Sequence, residues 1–122
     1  CYQAASTVET SIQSVINQTW QDWELIVVND GSTDNTAERV AALAQQDSRI
    51  KLVNVPHQGQ LGRVRNLGVN QAQADVIGFL DSDDCYEPFA LELLYNYLQF
   101  NPSCQLAYGQ YVMTDVNDNL LY

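Results

Sequence analysis

Residues 25–32 read Leu-Ile-Val-Val-Asn-Asp-Gly-Ser, four apolar residues that run directly into a polar turn. A short apolar run rich in β-branched residues is typical of a strand that is buried on both faces. Residues 35–46 follow with apolar side chains at helical spacing, namely Ala37, Val40, Ala41 and Ala44. The stretch therefore predicts a strand that ends in a turn and is followed by a helix.

The same alternation extends in both directions from this stretch. Residues 6–18 and 61–72 carry apolar side chains at helical spacing, and Ser6 to Glu9 has the Ser-x-x-Glu form of a capping box. Pro88 suits the first turn of a further helix that includes residues 91–98. Strands are predicted at residues 50–55, 76–80 and 106–111. Helices that alternate with strands predict an α/β fold, a mostly parallel sheet with helices on both faces.

Composition and charge limit the classes of function. With 122 residues, 46% of them apolar, the chain has the size of one compact domain. A net charge of −10, with only five scattered basic residues, argues against a nucleic-acid partner. An acidic protein that binds a phosphate ligand needs a divalent cation to bridge the two, so paired carboxylates are the feature to seek.

The cysteines and the lengths of the apolar runs bear on the cellular setting. Cys1, Cys85 and Cys104 form neither an even set nor a Cys-x-x-Cys pair, which favours a reducing compartment. No apolar run approaches the roughly 20 residues that a membrane-spanning helix needs, and no export leader is recognisable. We therefore expect a cytoplasmic protein without a transmembrane segment in this chain.

Two acidic turns follow predicted strands, at Asp30 and at residues 81–84. Ligands of open α/β sheets bind beyond the carboxyl ends of the strands, where both turns are expected. Residues 81–84 read Asp-Ser-Asp-Asp, and carboxylates crowded at one strand end favour a hard cation such as Mg²⁺ or Mn²⁺. A solvated acidic loop is the alternative. A calcium loop is set aside because Tyr86 stands where that loop requires glycine.

Several ordered motifs together make the sequence resemble family 2 glycosyltransferases, which have the fold called GT-A. The motifs span nearly the whole chain, so residues 1–122 are interpreted as one partial glycosyltransferase domain, its nucleotide-sugar-binding half. They are Cys1-Tyr2-Gln3, Ser14 to Trp20, Glu24 to Ser32, Arg65-Asn66-Leu67-Gly68 and Phe79 to Asp84.

The resemblance implies transfer of a sugar from a nucleotide diphosphate donor, usually a UDP-sugar, to an acceptor hydroxyl on a saccharide, lipid or other compound, commonly with inversion. It implies that Asp30 accepts the imide hydrogen of uracil and that Tyr2 stacks on the base. Arg65 is expected to reach the base or the phosphates, and a structural ion pair is the alternative. Mn²⁺ or Mg²⁺ is expected on Asp83, with Asp81 as a partner for the ribose or the metal.

Two parts of the family pattern are missing from this sequence. One is the first strand of the sheet, which is expected before Cys1, and the other is the acceptor-binding half, which is expected after Tyr122. In the family the acceptor half supplies the catalytic base, so the sequence assigns no catalytic residue here. His57, the single histidine, has no motif partner and is expected on the surface.

Two other functions stay open at this point. A haloacid-dehalogenase-like phosphohydrolase would use Asp81 as its nucleophile, although Cys85 stands where that family has threonine. The second is a non-catalytic nucleotide-sugar-binding module.

Overall fold

The computed structural model describes residues 1–115 and contains six helices and strands in that range. In chain order they are α1 (Val8–Ile16), β1 (Leu25–Asp30), α2 (Thr36–Gln46), β2 (Ile50–Val55), α3 (Leu61–Val69) and α4 (Ala90–Phe100). All four predicted helices are present, and so are the first two predicted strands. The α/β class is therefore confirmed.

The sheet is formed by β1 and β2, which are parallel and in register from Leu25 opposite Ile50 to Asp30 opposite Val55. Helix α2 connects them, as a parallel pair requires. Cys1 lies along the other edge of β1, where its N–H donates to the carbonyl of Val28 at 2.6 Å and its carbonyl accepts the N–H of Asp30 at 2.9 Å. The carboxyl end of β1 is thus bonded on both edges.

Helices cover both faces of this sheet. On one face, Ile12 of α1 and Val40 of α2 form a buried cluster with Ile50, and Val27 packs against it. Val28, the next residue along β1, points to the opposite face. There α3 packs closely, since a Cβ atom on Gly68 would lie 3.4 Å from the Val28 side chain. The predicted arrangement of helices around the strands is therefore observed.

Two predicted strands are absent from the described residues. Residues 76–80 and 106–111 pair with neither β1 nor β2, and apolar side chains in both runs, such as Phe79 and Tyr108, are exposed. An apolar run becomes a strand only where a neighbouring strand supplies hydrogen-bond partners. Both strand predictions are wrong for this reason.

Two helix starts also differ from the prediction. Thr7 precedes α1 without a side-chain capping bond, and Glu9 instead pairs with Arg39 of α2 at 2.6 Å. The capping box is therefore not formed. Helix α4 begins at Ala90, so Pro88 lies two residues before the helix rather than in its first turn.

No helix in the described range, residues 1–115, is long and apolar enough to cross a membrane.

Candidate functional site

Asp30, the last residue of β1, is a buried carboxylate, with 5% of its surface exposed. Its Oδ1 accepts the N–H of Gln58 at 2.6 Å, and its Oδ2 accepts the N–H of Gly59 at 3.2 Å. Burial opposes ionisation, but these two N–H groups and the nearby His57 outweigh it and lower the pKa of the Asp30 carboxyl below 3.8. Asp30 is therefore an anion held in place at the carboxyl end of the sheet.

His57 connects this carboxylate to Tyr2. Its Nδ1 lies 3.0 Å from Oδ2 of Asp30 and 3.0 Å from the Asp30 carbonyl. Its ring stacks on the ring of Tyr2, with centroids 4.3 Å apart and an interplanar angle of 30°. The side chain is half exposed, as the sequence predicted, but it has two partners that the sequence did not indicate. We call Tyr2, Asp30, His57, Gln58 and Gly59 the Asp30 cluster.

Gly31 makes this cluster possible. Its φ is 68°, and a Cβ atom there would lie 2.7 Å from the main-chain nitrogen of His57. A larger residue would therefore push the loop at 57–59 away from Asp30. The Asp-Gly pair in the sequence predicts a turn, but it does not tell which distant loop packs against the turn.

Gln3 holds Tyr2 beside the turn that follows β1. Its φ of 51° is unusual for a residue other than glycine. Its Oε1 accepts the N–H groups of Thr33 at 2.8 Å and Asp34 at 3.2 Å, and its own N–H donates to the hydroxyl of Ser32 at 3.0 Å. Sequence reasoning missed this role, because no local pattern indicates a left-handed glutamine.

The acidic turn, residues 81–84, is exposed rather than buried. It closes with the N–H of Asp84 donating to the carbonyl of Asp81 at 3.1 Å. Oδ1 of Asp81 accepts a hydrogen bond from Arg65 of α3 at 2.8 Å. The ion pair that was the alternative for Arg65 is thus present, and it partly relieves the repulsion between the carboxylates. Asp83 is exposed in the same turn.

The donor atoms of the acidic turn determine which kind of divalent cation site it could form. Within residues 1–115, no group of three or more His, Cys, Asp or Glu side chains converges on one point. Magnesium sites in enzymes often use only one or two carboxylates and complete their coordination with substrate phosphates and water. Asp81 and Asp83 are exposed carboxylates two residues apart in one turn, a donor set that suits a cation of that kind and not a closed protein cage.

The parallel sheet between helices, with Asp30 at the carboxyl end of β1, is the Rossmann-like arrangement of the GT-A class. Solved structures agree: S. aureus TarS in complex with UDP-GlcNAc superposes with a TM-score of 0.76 over 83% of this chain and 30% of that chain, at 23% identity. The family follows from the sequence itself. The chain belongs to glycosyl transferase family 2, whose model matches residues 1–120.

Curated relatives agree with this assignment. An uncharacterized glycosyltransferase of Haemophilus influenzae is 36% identical over 118 residues, which is 97% of this chain and 47% of that protein. The Escherichia coli UDP-Glc:alpha-D-GlcNAc-diphosphoundecaprenol beta-1,3-glucosyltransferase WfgD is 37% identical over 118 residues, 97% of this chain and 45% of that protein. The chain thus spans less than half the length of these two relatives. The family match decides against the phosphohydrolase alternative.

Proposed function

We propose that the chain forms the donor-binding half of a glycosyltransferase that transfers a sugar from a UDP-sugar to an acceptor hydroxyl. The observation that carries the proposal is Asp30, an anion fixed at the end of a parallel strand. A carboxylate has about four lone-pair positions. The N–H groups of Gln58 and Gly59 and the ring of His57 use three of them. The remaining one, on Oδ1, is free to accept the imide hydrogen of uracil.

Tyr2 supplies the stacking surface in this proposal. One face of its ring is covered by His57, while 49% of the residue is exposed. An aromatic ring backed on one side is a rigid platform for a planar base on the other. Asp30 would then select the base by its hydrogen bond. Tyr2 would contribute affinity through the ring surface that is buried when the base stacks on it.

The diphosphate is assigned to the acidic turn. Asp83 would be the principal ligand of Mn²⁺ or Mg²⁺, and Asp81 a partner for the cation or the ribose. When bound, the cation would neutralise charge that develops on the diphosphate leaving group. Arg65 lies beside Asp81, so its guanidinium is positioned to exchange that carboxylate for a phosphate oxygen or the base.

The names of similar proteins support a UDP donor. WfgD is named for UDP-Glc, and TarS was solved with UDP-GlcNAc. Inversion at the anomeric carbon and a cytoplasmic location are further parts of the proposal, the latter from the odd number of cysteines and the lack of a Cys-x-x-Cys pair in the sequence. We assign no catalytic base to residues 1–115, and we expect the acceptor to bind elsewhere in the intact protein.

Calorimetric titration of the intact protein with UDP, GDP and ADP, each with and without Mn²⁺, tests the proposal. We expect UDP to bind most tightly and to depend on Mn²⁺. Equal affinities for the three nucleotides would contradict the role of Asp30. UDP affinity that is the same with and without Mn²⁺ would contradict the role of the acidic turn. A sugar-transfer assay with the same protein separates an enzyme from a non-catalytic binding module.

A further inference from the structure

One side of α1 carries polar side chains that point into the protein and bond to the chain around the acidic turn. The hydroxyl of Ser11 donates to the carbonyl of Asp81 at 3.2 Å. One helical turn later, the hydroxyl of Ser14 accepts the N–H of Tyr86 at 3.1 Å and donates to the carbonyl of Ser11 at 2.7 Å. The two serines therefore hold the main chain at the first residue of the acidic turn and two residues after its end.

Gln18, just after α1, continues the same line of contacts. Its Nε2 donates to the carbonyls of Ser14 at 3.0 Å and Glu87 at 2.7 Å, and its Oε1 accepts the N–H of Leu91 at 2.9 Å. Only 1% of Gln18 and 5% of Ser11 are exposed. Buried polar groups with matched partners are directional restraints, because losing a partner is costly. We call Ser11, Ser14 and Gln18 the α1 polar stripe.

The stripe matters because, within residues 1–115, its bonds are main-chain contacts that reach the acidic turn from a helix. The preceding residues, 76–80, pair with neither strand. Helix α1, by contrast, is anchored in the core through Val8 and Ile12. The main-chain contacts from the α1 polar stripe therefore connect the acidic turn to a helix that packs in the core. The exposed pair of Arg65 and Asp81 makes a second connection, to α3.

We propose that Ser11 and Ser14 are positioning residues for the cation and diphosphate contacts of the acidic turn. This inference rests on the proposed function. Neither hydroxyl needs to touch the ligand, since each acts through the main chain of the residues that do. The prediction is specific: loosening the stripe should weaken the part of UDP binding that depends on Mn²⁺, and it should spare the part that depends on the base.

Uridine and UDP separate these two parts, since uridine has the base and lacks the diphosphate. We would titrate the intact protein with uridine, and with UDP in the presence and absence of Mn²⁺, for Ser11→Ala and Ser14→Ala. Alanine preserves α1, because it is the best helix former. Thr10→Ala is the matched control, which removes a hydroxyl from the exposed side of the same helix. Ser14→Thr retains the hydroxyl and serves as the rescue variant.

We expect each serine variant to lose about five- to tenfold in Mn²⁺-dependent UDP affinity. Uridine affinity should stay within about twofold, and Thr10→Ala and Ser14→Thr should behave as the unaltered protein does. Equal losses for uridine and UDP would mean a general structural role and would overturn the inference. So would unchanged UDP affinity in both serine variants. If the unaltered protein bound UDP without any effect of Mn²⁺, the proposed function itself would fail first.

Discussion

The Asp30 cluster and the acidic turn both place carboxylates after an apolar run, but they are built in opposite ways. Asp30 ends a paired strand, is buried, and is held by main-chain N–H groups of a distant loop. The acidic turn follows an unpaired segment, is exposed, and is held by side chains of α1 and by Arg65. Asp30 is therefore fixed by the fold, with one acceptor position left for the proposed contact to the base, whereas the carboxylates at 81–84 lie in an exposed turn.

From this comparison we expect Asp83→Asn to cause the largest loss of UDP affinity of the variants considered. It should cause no loss of folding stability. A carboxamide is a poorer ligand for a hard cation. Mn²⁺-dependent UDP affinity should fall about 100-fold or more, since even partners outside the metal ligands contribute about 10- to 100-fold. The melting temperature without ligand should hold or rise, because one of several crowded charges is removed.

Calorimetry and thermal unfolding measure the two effects. Asp75→Asn, which neutralises an exposed carboxylate six residues before the turn, is the control for net charge. Unchanged UDP affinity and metal dependence in Asp83→Asn would refute the assignment of this turn as the cation site.

Gly31→Ala should disrupt the Asp30 cluster, because it changes the backbone that lets the loop at 57–59 approach Asp30. Alanine at a φ of 68° is strained, and its Cβ would collide with the main chain of His57. We expect a destabilisation of about 1–3 kcal/mol and about a tenfold loss of uridine affinity as the loop at 57–59 moves. Gly62→Ala is the matched control, since a Cβ there meets nothing within 4 Å. Chemical denaturation of both variants measures the difference, and equal stabilities would contradict the close approach at Gly31.

Asp30→Asn tests whether the buried carboxylate acts as an anion. The folded pKa of Asp30 lies below the ordinary 3.8, so its stabilisation is complete above that value and is lost as the pH falls through the folded pKa. The unaltered protein should therefore lose stability below about pH 4 more steeply than Asp30→Asn. At pH 7 the variant should be less stable and should discriminate UDP from ADP less well, while Mn²⁺ still strengthens binding.

Unfolding at a series of pH values from about 3 to about 7, a window around the ordinary carboxylate pKa, measures this slope for both proteins. Parallel curves would show that Asp30 contributes nothing through its charge.

The smallest effect on stability is expected for Arg65→Ala. The pair with Asp81 is partly exposed on both sides, and such pairs contribute less than about 1 kcal/mol. UDP affinity should nevertheless fall several-fold if the guanidinium exchanges Asp81 for the nucleotide. Parallel measurements of melting temperature and UDP affinity separate the two roles. A large loss of stability with unchanged affinity would make Arg65 a structural residue only.

The elements that the sequence predicted well are those whose pattern is local. The apolar runs of β1 and β2 and the period of α2 contain their own signal, and the polar turn after β1 marks its end. Residues 76–80 have an equally strong apolar run, but strand pairing depends on a partner elsewhere in the chain, which the run does not encode. The same limit explains residues 106–111.

Within the candidate site, the sequence indicated the chemical groups better than their contacts. Tyr2, Asp30, Arg65, Asp81 and Asp83 came from motifs, and their roles toward a nucleotide and a cation stay predictions. The contacts of His57 and Gln3 could not be predicted, because they depend on the close approach at Gly31 and on a left-handed backbone. Ser14 and Gln18 of the α1 polar stripe were visible only as part of a motif, without a function, and Ser11 lies outside that motif.

The bonds from Asp30 to Gln58 and Gly59 have a consequence for hydrogen exchange. Both amides belong to a loop, where exchange is ordinarily fast. Here their protons are held by a buried carboxylate at the end of β1. They can exchange only when their bonds to Asp30 break. These two amides should therefore exchange more slowly than loop amides that are bonded to water.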